Sequence, residues 1–186
     1  MITAINFHEG TVFDDGGQVL EVITFQHHRM SQSRAVVRCK LRNLHTGAVV
    51  ERSYRPEDKY RDIPIEKREK TYLYTEGGLA HFMDMESYEQ VMVGADKLGD
   101  SARFLTENMA VQGVYVDGKF FTVELPTSVV MAVASTVPGI RGDSVSNMMK
   151  PATLESGIEI QVPLFIKEGD KVKVDTRTGE YVARAG

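Results

Sequence analysis

The stretch His27–Arg38 reads HHRMSQSRAVVR and lies between two runs with the composition of β-strands, which makes it a projecting hairpin. On its exit strand Arg34, Arg38, Lys40 and Arg42 occupy even positions, whereas Ala35, Val37, Cys39 and Leu41 occupy odd ones. A strand repeats every two residues, so the cations share one face and the apolar side chains the other. One face suits a core and the other an anion, the alternative being an ordinary solvated strand face. From Val22 to Val50 there is no Asp or Glu, although the whole chain carries 26 acidic against 22 basic side chains. The cations here are therefore segregated.

Working outward, Thr11–Phe13, Gln18–Phe25, Arg34–Asn43 and Val49–Arg55 read as short strands joined by turns at Asp14-Asp15-Gly16-Gly17 and His45-Thr46-Gly47. They make a small β-barrel. Pro56 and Pro64, followed by the charged EKREK run, mark a boundary near residue 65, because proline cannot continue a sheet ladder. The second unit reads as strands Lys70–Thr75, Leu79–Asp84 and Gln90–Val93, a short helix through Ala95–Leu105, then strands Met109–Val116 and Lys119–Glu124 about the Asp117-Gly118 turn. The third reads as strands Val129–Val137, Met149–Thr153, Ile158–Pro163, Lys171–Asp175 and Tyr181–Ala183. Both end on a Val-Asp-turn-aromatic hairpin, a weak internal repeat. Five or so short strands in about 60 residues suit Greek-key barrels of the OB type.

The 186 residues leave room for real cores, and no apolar run is long enough to cross a bilayer. The first residues, MITAINFHEG, lack a basic region followed by an apolar one, so the sequence reads as cytoplasmic. Basic and acidic groups number 9 and 8 in residues 1–64, 6 and 11 in 65–127, and 7 and 7 in 128–186, giving +1, −5 and 0. The acidic middle and the basic hairpin suit different tasks. The single cysteine, Cys39, excludes an internal disulfide and a multi-cysteine zinc site, and its apolar strand face favours a structural thiol over a nucleophile. His27 and His28 are adjacent, so on a strand they face opposite ways and cannot chelate one metal together. No Ser/His/Asp or paired-carboxylate spacing stands out, and neither Gly16-Gly17 nor Gly77-Gly78 belongs to a phosphate loop.

The segment 150–169, KPATLESGIEIQVPLFIKEG, resembles the C-terminal signature of the bacterial elongation factor P family. FHEGTVFDDGGQVLEVITFQH, KLRNLHTGAVVERSYRPEDK, YLYTEGG, HFMDMESYEQ and VDTRTGEYVARA extend the resemblance from end to end. The fold it implies is all-β: an SH3-like (KOW-type) barrel over 1–64 with a projecting loop at 27–34, then OB-fold barrels over 65–127 and 128–186, in an elongated, tRNA-like molecule. The implied work is to bind the ribosome, its rRNA and both subunits, between the peptidyl and exit sites, beside a P-site peptidyl-tRNA stalled on consecutive prolines. Proline is a poor partner there because its ring fixes φ and removes the amide N–H. The resemblance implies catalysis by positioning, with no catalytic residue, metal or cofactor, no membrane and a monomeric chain.

Site residues follow from the same resemblance. The tip facing the peptidyl-transferase centre is Arg29, Met30, Ser31, Gln32, Ser33 and Arg34; Arg38, Lys40 and Arg42 face rRNA or tRNA backbone; Arg141, Gly142, Asp143 and Ser144 form the loop for the exit-site codon and small subunit. Familiar members read Pro-Gly-Lys-Gly at the tip and carry a modified lysine or a glycosylated arginine. Aligned through His27 and Arg38, this chain reads Met30-Ser31-Gln32-Ser33, with Gln32 at the modified position. Glutamine lacks the amine that the modifying enzymes need, though it donates and accepts hydrogen bonds, and Arg29 and Arg34 flank it with positive charge. That departure keeps a second reading open, a diverged OB-fold module for another RNA.

Overall fold

The computed structural model describes residues 1–28, 35–139 and 148–186. Strands β1 (Ile2–Thr3), β2 (Val12–Asp15), β3 (Gln18–His28), β4 (Val36–Asn43), β5 (Val49–Tyr54) and β6 (Lys59–Asp62) form one sheet in the order β1-β6-β2-β3-β4-β5. It curls round Phe7, Phe13, Leu20, Val22, Val37, Cys39, Leu41 and Tyr54. Phe7 and Phe13 stack with centroids 4.4 Å apart, and Tyr54 meets both edge-on at 5.7 Å. Burying each large apolar side chain here contributes about 1.5–3 kcal/mol. Asp15 closes one end of this core, accepting hydrogen bonds from Arg52 Nη1 at 2.7 Å and the Tyr54 hydroxyl at 2.9 Å. Burial and then the Asp15 carboxylate push the Tyr54 phenol well above its ordinary value.

The sequence reading lacks β1, the 3₁₀ turn Ala4–Asn6 and β6. A two-residue strand carries no periodicity, and β6 reads KYRD, a polar run that only its partners make a strand. Both matter, since β6 bridges β1 to β2.

The second sheet runs β11-β10-β7-β8-β9, from β7 (Ile65–Glu76), β8 (Leu79–Met83), β9 (Gln90–Gly94), β10 (Ala110–Val116) and β11 (Lys119–Glu124). The EKREK run, read as a boundary, lies inside β7, where Glu66–Glu69 are exposed and Lys70 is 1% exposed. Lys70 Nζ donates to Asp84 Oδ2 at 3.0 Å, so the buried cation is compensated. A side chain at Gly113 would bring its Cβ to 3.0 Å from Lys70 Cγ, so glycine leaves the lysine its passage. The other oxygen, Asp84 Oδ1, accepts the N–H groups of Glu86 and Ser87, each at 2.9 Å. The Ser87 amide, Lys70 and the Glu86 amide together hold the Asp84 carboxyl far below the usual carboxylate range. The expected single helix is a short α1 (Ala95–Leu98) followed by 3₁₀ turns over Gly99–Phe104, because Gly99 takes φ +56° and ends the α-helix.

The third sheet runs β14-β13-β12-β15-β16, from β12 (Ser128–Thr136), β13 (Met149–Leu154), β14 (Glu159–Pro163), β15 (Lys171–Asp175) and β16 (Tyr181–Ala185). Its core includes Met131, Val133, Leu154, Val162, Ile166, Val172 and Val174, and Phe104 from the preceding 3₁₀ segment joins it. By packing, the chain divides into Met1–Glu66 with Val116–Lys119, and Lys67–Tyr115 with Phe120–Gly186. Asp117 and Gly118, at φ +52° and +76°, make the expected two-residue hairpin turn. Within the first of these units the Asp117 amide donates to the Pro64 carbonyl at 3.1 Å and its carboxylate accepts from Arg61 at 3.2 Å. Among the described residues no helix is long and apolar enough to cross a membrane.

Two outcomes are expected. Cys39 is 2% exposed and burial pushes its thiol up to about 11, leaving about one thiolate in a thousand at pH 8. Iodoacetamide at that pH should spare the folded protein and label it promptly in guanidinium, as intact mass would show. Asp84 titrates below its ordinary 3.8, so its contribution is full above about pH 4 and disappears as pH falls further. Asp84→Asn should therefore lower the thermal midpoint at pH 5–7, and the gap to wild type should close below pH 4; a gap that persists would contradict the ion pair.

Candidate nucleic-acid interface

Strand β4 pairs continuously with β5, Val37 opposite Tyr54 through Arg42 opposite Val49, so its alternation is undisturbed. Val37, Cys39 and Leu41 are buried and Arg38, Lys40 and Arg42 exposed, as the period of two requires. Ladder register then gives each cation its neighbours. Arg38, nearest the hairpin end, stands between Gln26 of β3 and Ser53 of β5. Lys40 stands between Thr24 and Glu51, and Arg42 between Glu21 and Val49. Arg42 Nη1 lies 3.5 Å from Glu21 Oε2, with the side chains 51% and 31% exposed. Among the described residues, neither Arg38 nor Lys40 has a carboxylate within ion-pair distance.

The register of β3 shifts between Val22 and Thr24, leaving Ile23 as the extra residue of a bulge. Ahead of it Leu20 and Val22 face the core; beyond it Phe25 packs against the same core and Gln26 is exposed. The bulge thus brings Glu21, Thr24 and Gln26 to one face although their numbers alternate irregularly. His27 is exposed, and its ring meets Phe25 edge-on at 5.5 Å, which places it on the hairpin stem.

The tip residues Arg29, Met30, Ser31, Gln32, Ser33 and Arg34 lie outside the described residues, as do Arg141, Gly142, Asp143 and Ser144. Described residues flank the second group. Lys150, 5% exposed, donates from Nζ to the Val137 carbonyl at 2.7 Å, and a Cβ on Gly139 would fall 2.6 Å from the Leu164 carbonyl oxygen. Among the described residues no three His, Cys, Asp or Glu stand together to hold a metal ion. Sequence reading missed Glu21, Glu51, Gln26 and Ser53 as neighbours of the cations. The acid-free stretch ends at those two glutamates in sequence, and only strand pairing brings them alongside Arg42 and Lys40.

Comparison with known proteins adds to this geometry. Residues 3–60 match the family described as "Elongation factor P (EF-P) KOW-like domain", 65–123 the "Elongation factor P (EF-P) OB domain" and 129–184 "Elongation factor P, C-terminal". A protein of Elusimicrobium minutum named elongation factor P is 53% identical over 186 residues, covering 100% of both chains. One of the same name from Caldanaerobacter subterraneus subsp. tengcongensis is 46% identical over 184 residues, covering 99% of this chain and 100% of that one. The solved "eukaryotic translation initiation factor 5A from Methanococcus jannaschii" shares the fold at 14% identity, with a TM-score of 0.51 over 67% of this chain and 93% of its own. The resemblance read from the sequence thus holds along the whole chain, and the expected KOW-like and OB architecture is borne out. The chain belongs to the elongation factor P family of translation elongation factors.

Proposed function

We propose that this factor binds the ribosome between the peptidyl and exit sites and speeds peptide-bond formation where consecutive prolines stall it. The observation that carries the reading is the hairpin of β3 and β4, with its exposed cation row on one face and apolar anchors on the other, in a chain of this family. The acid-free stretch Val22–Val50 suits close approach to RNA, because each phosphate neutralised releases counterions. The tip residues 29–34, which join β3 to β4 in sequence, are assigned to the acceptor end of a P-site tRNA. The proposed domains are 1–64, 65–127 and 128–186, and the loop Arg141–Ser144 of the third faces the exit-site codon and the small subunit. The factor works as a monomer in the cytoplasm and contributes by holding the tRNA in a reactive geometry, with no acid, base or nucleophile of its own.

Gln32 stands where relatives carry a modified lysine, and a short neutral amide cannot copy an extended amine. We expect an unmodified tip that acts as a preformed loop flanked by Arg29 and Arg34, since prior ordering lowers the entropy lost on docking. Protein purified from its host should show no added mass on Met30–Arg34. Gln32→Ala should slow synthesis of a Pro-Pro-Pro reporter while leaving ribosome affinity nearly intact. An adduct on the loop contradicts the first expectation and a fully active variant the second. Activity on the reporter absent even in wild type would favour the diverged RNA-binding module instead.

A further inference from the structure

The three cations of β4 are not equivalent, although the sequence presents them as one row. Their difference comes from β3 and β5. Opposite charges directly across a ladder attract one another, and a cation so engaged is less available to an outside anion. At the base of the hairpin Arg42 reaches Glu21 at 3.5 Å. One step along, Lys40 faces Glu51 across β5, with the Cα atoms paired in the ladder. At the third step Arg38 is flanked by the neutral, exposed Gln26 and Ser53. Positive potential therefore rises from base to tip, and within the described hairpin it is strongest at Arg38.

We infer, resting on the ribosomal reading above, that Arg38 with the Ser53 hydroxyl is a seat for one phosphodiester group of RNA, and that Arg42 is neutralised by Glu21 and makes no such contact. The chemistry matches the ligand: a guanidinium offers parallel N–H donors to two phosphate oxygens, and a hydroxyl beside it donates a further bond. Carboxylates at the seat would repel the same oxygens, and the ladder keeps Glu51 one step and Glu21 two steps nearer the base. The resulting polarity directs the tip of the hairpin, rather than its base, toward a phosphate-lined channel.

Affinity for 70S ribosomes and, separately, for unfractionated tRNA would be measured in potassium chloride from roughly 50 to 200 mM at fixed magnesium, a range over which phosphate contacts are read as a log–log slope. Arg38→Gln should weaken binding roughly tenfold and flatten that slope by about 0.7–0.9, and Arg38→Lys should restore the slope. Ser53→Ala should weaken binding less and leave the slope alone, whereas Arg42→Gln, which removes a cation already engaged by Glu21, should cost clearly less than Arg38→Gln on both readouts. Glu21→Gln, which frees Arg42, should steepen the slope. Circular dichroism of each variant would confirm its fold. Equal losses from Arg42→Gln and Arg38→Gln, or slopes indifferent to both, would overturn the seat. If ribosomes fail to bind while tRNA shows this pattern, the ribosomal reading falls and the seat stands; if both probes ignore Arg38, the seat falls alone.

Discussion

The register of β4 between β3 and β5 is the constraint on which the hairpin depends. Because side chains alternate across a strand, a slip of one residue would turn Val37, Cys39 and Leu41 to solvent and drive Arg38, Lys40 and Arg42 into the barrel. Burial of the three apolar residues opposes that slip, and desolvation of three guanidinium or ammonium groups forbids it more strongly. The core thus positions the charges. Nothing on the exposed face needs to hold itself in place.

The second sheet uses a different device. Lys70 sits at the buried end of a charged run, and its partner Asp84 serves two masters, accepting from the lysine on one oxygen and from the Glu86 and Ser87 amides on the other. A buried ion pair is weak support for stability as such, because desolvation offsets most of the attraction. It does tie β7 to the turn between β8 and β9.

Much of this architecture was legible in the sequence, for definite reasons. The alternation of β4, the Asp117-Gly118 turn and the valine-rich β12 each carry a local signal that tertiary contacts do not contradict. Elements without such a signal are absent from that reading: β1 is two residues long, β6 is polar, and the charged Ile65–Glu69 start of β7 reads as part of the boundary, with the strand beginning only at Lys70. The cation row was likewise readable as composition but not as electrostatics. Glu21 lies 21 positions from Arg42, and only the folded ladder makes them neighbours.

The bulge at Ile23 has a consequence for how the gene can change. It inverts the phase of β3, so that residues of one parity face the core before it and residues of the other parity after it. Deleting that single residue would set Thr24 directly after Val22, so the ladder would run on without a bulge and Phe25, Gln26 and His27 would keep their partners on β4. Loss of one residue beyond the bulge, such as Gln26, has the opposite effect: His27 would stand opposite Arg38, and the distal part of β3 would exchange its faces. Length in β3 is therefore free at the bulge and strictly fixed past it, and a frame-preserving loss of one codon there would yield a protein that folds around a hairpin with the wrong residues beside its cations.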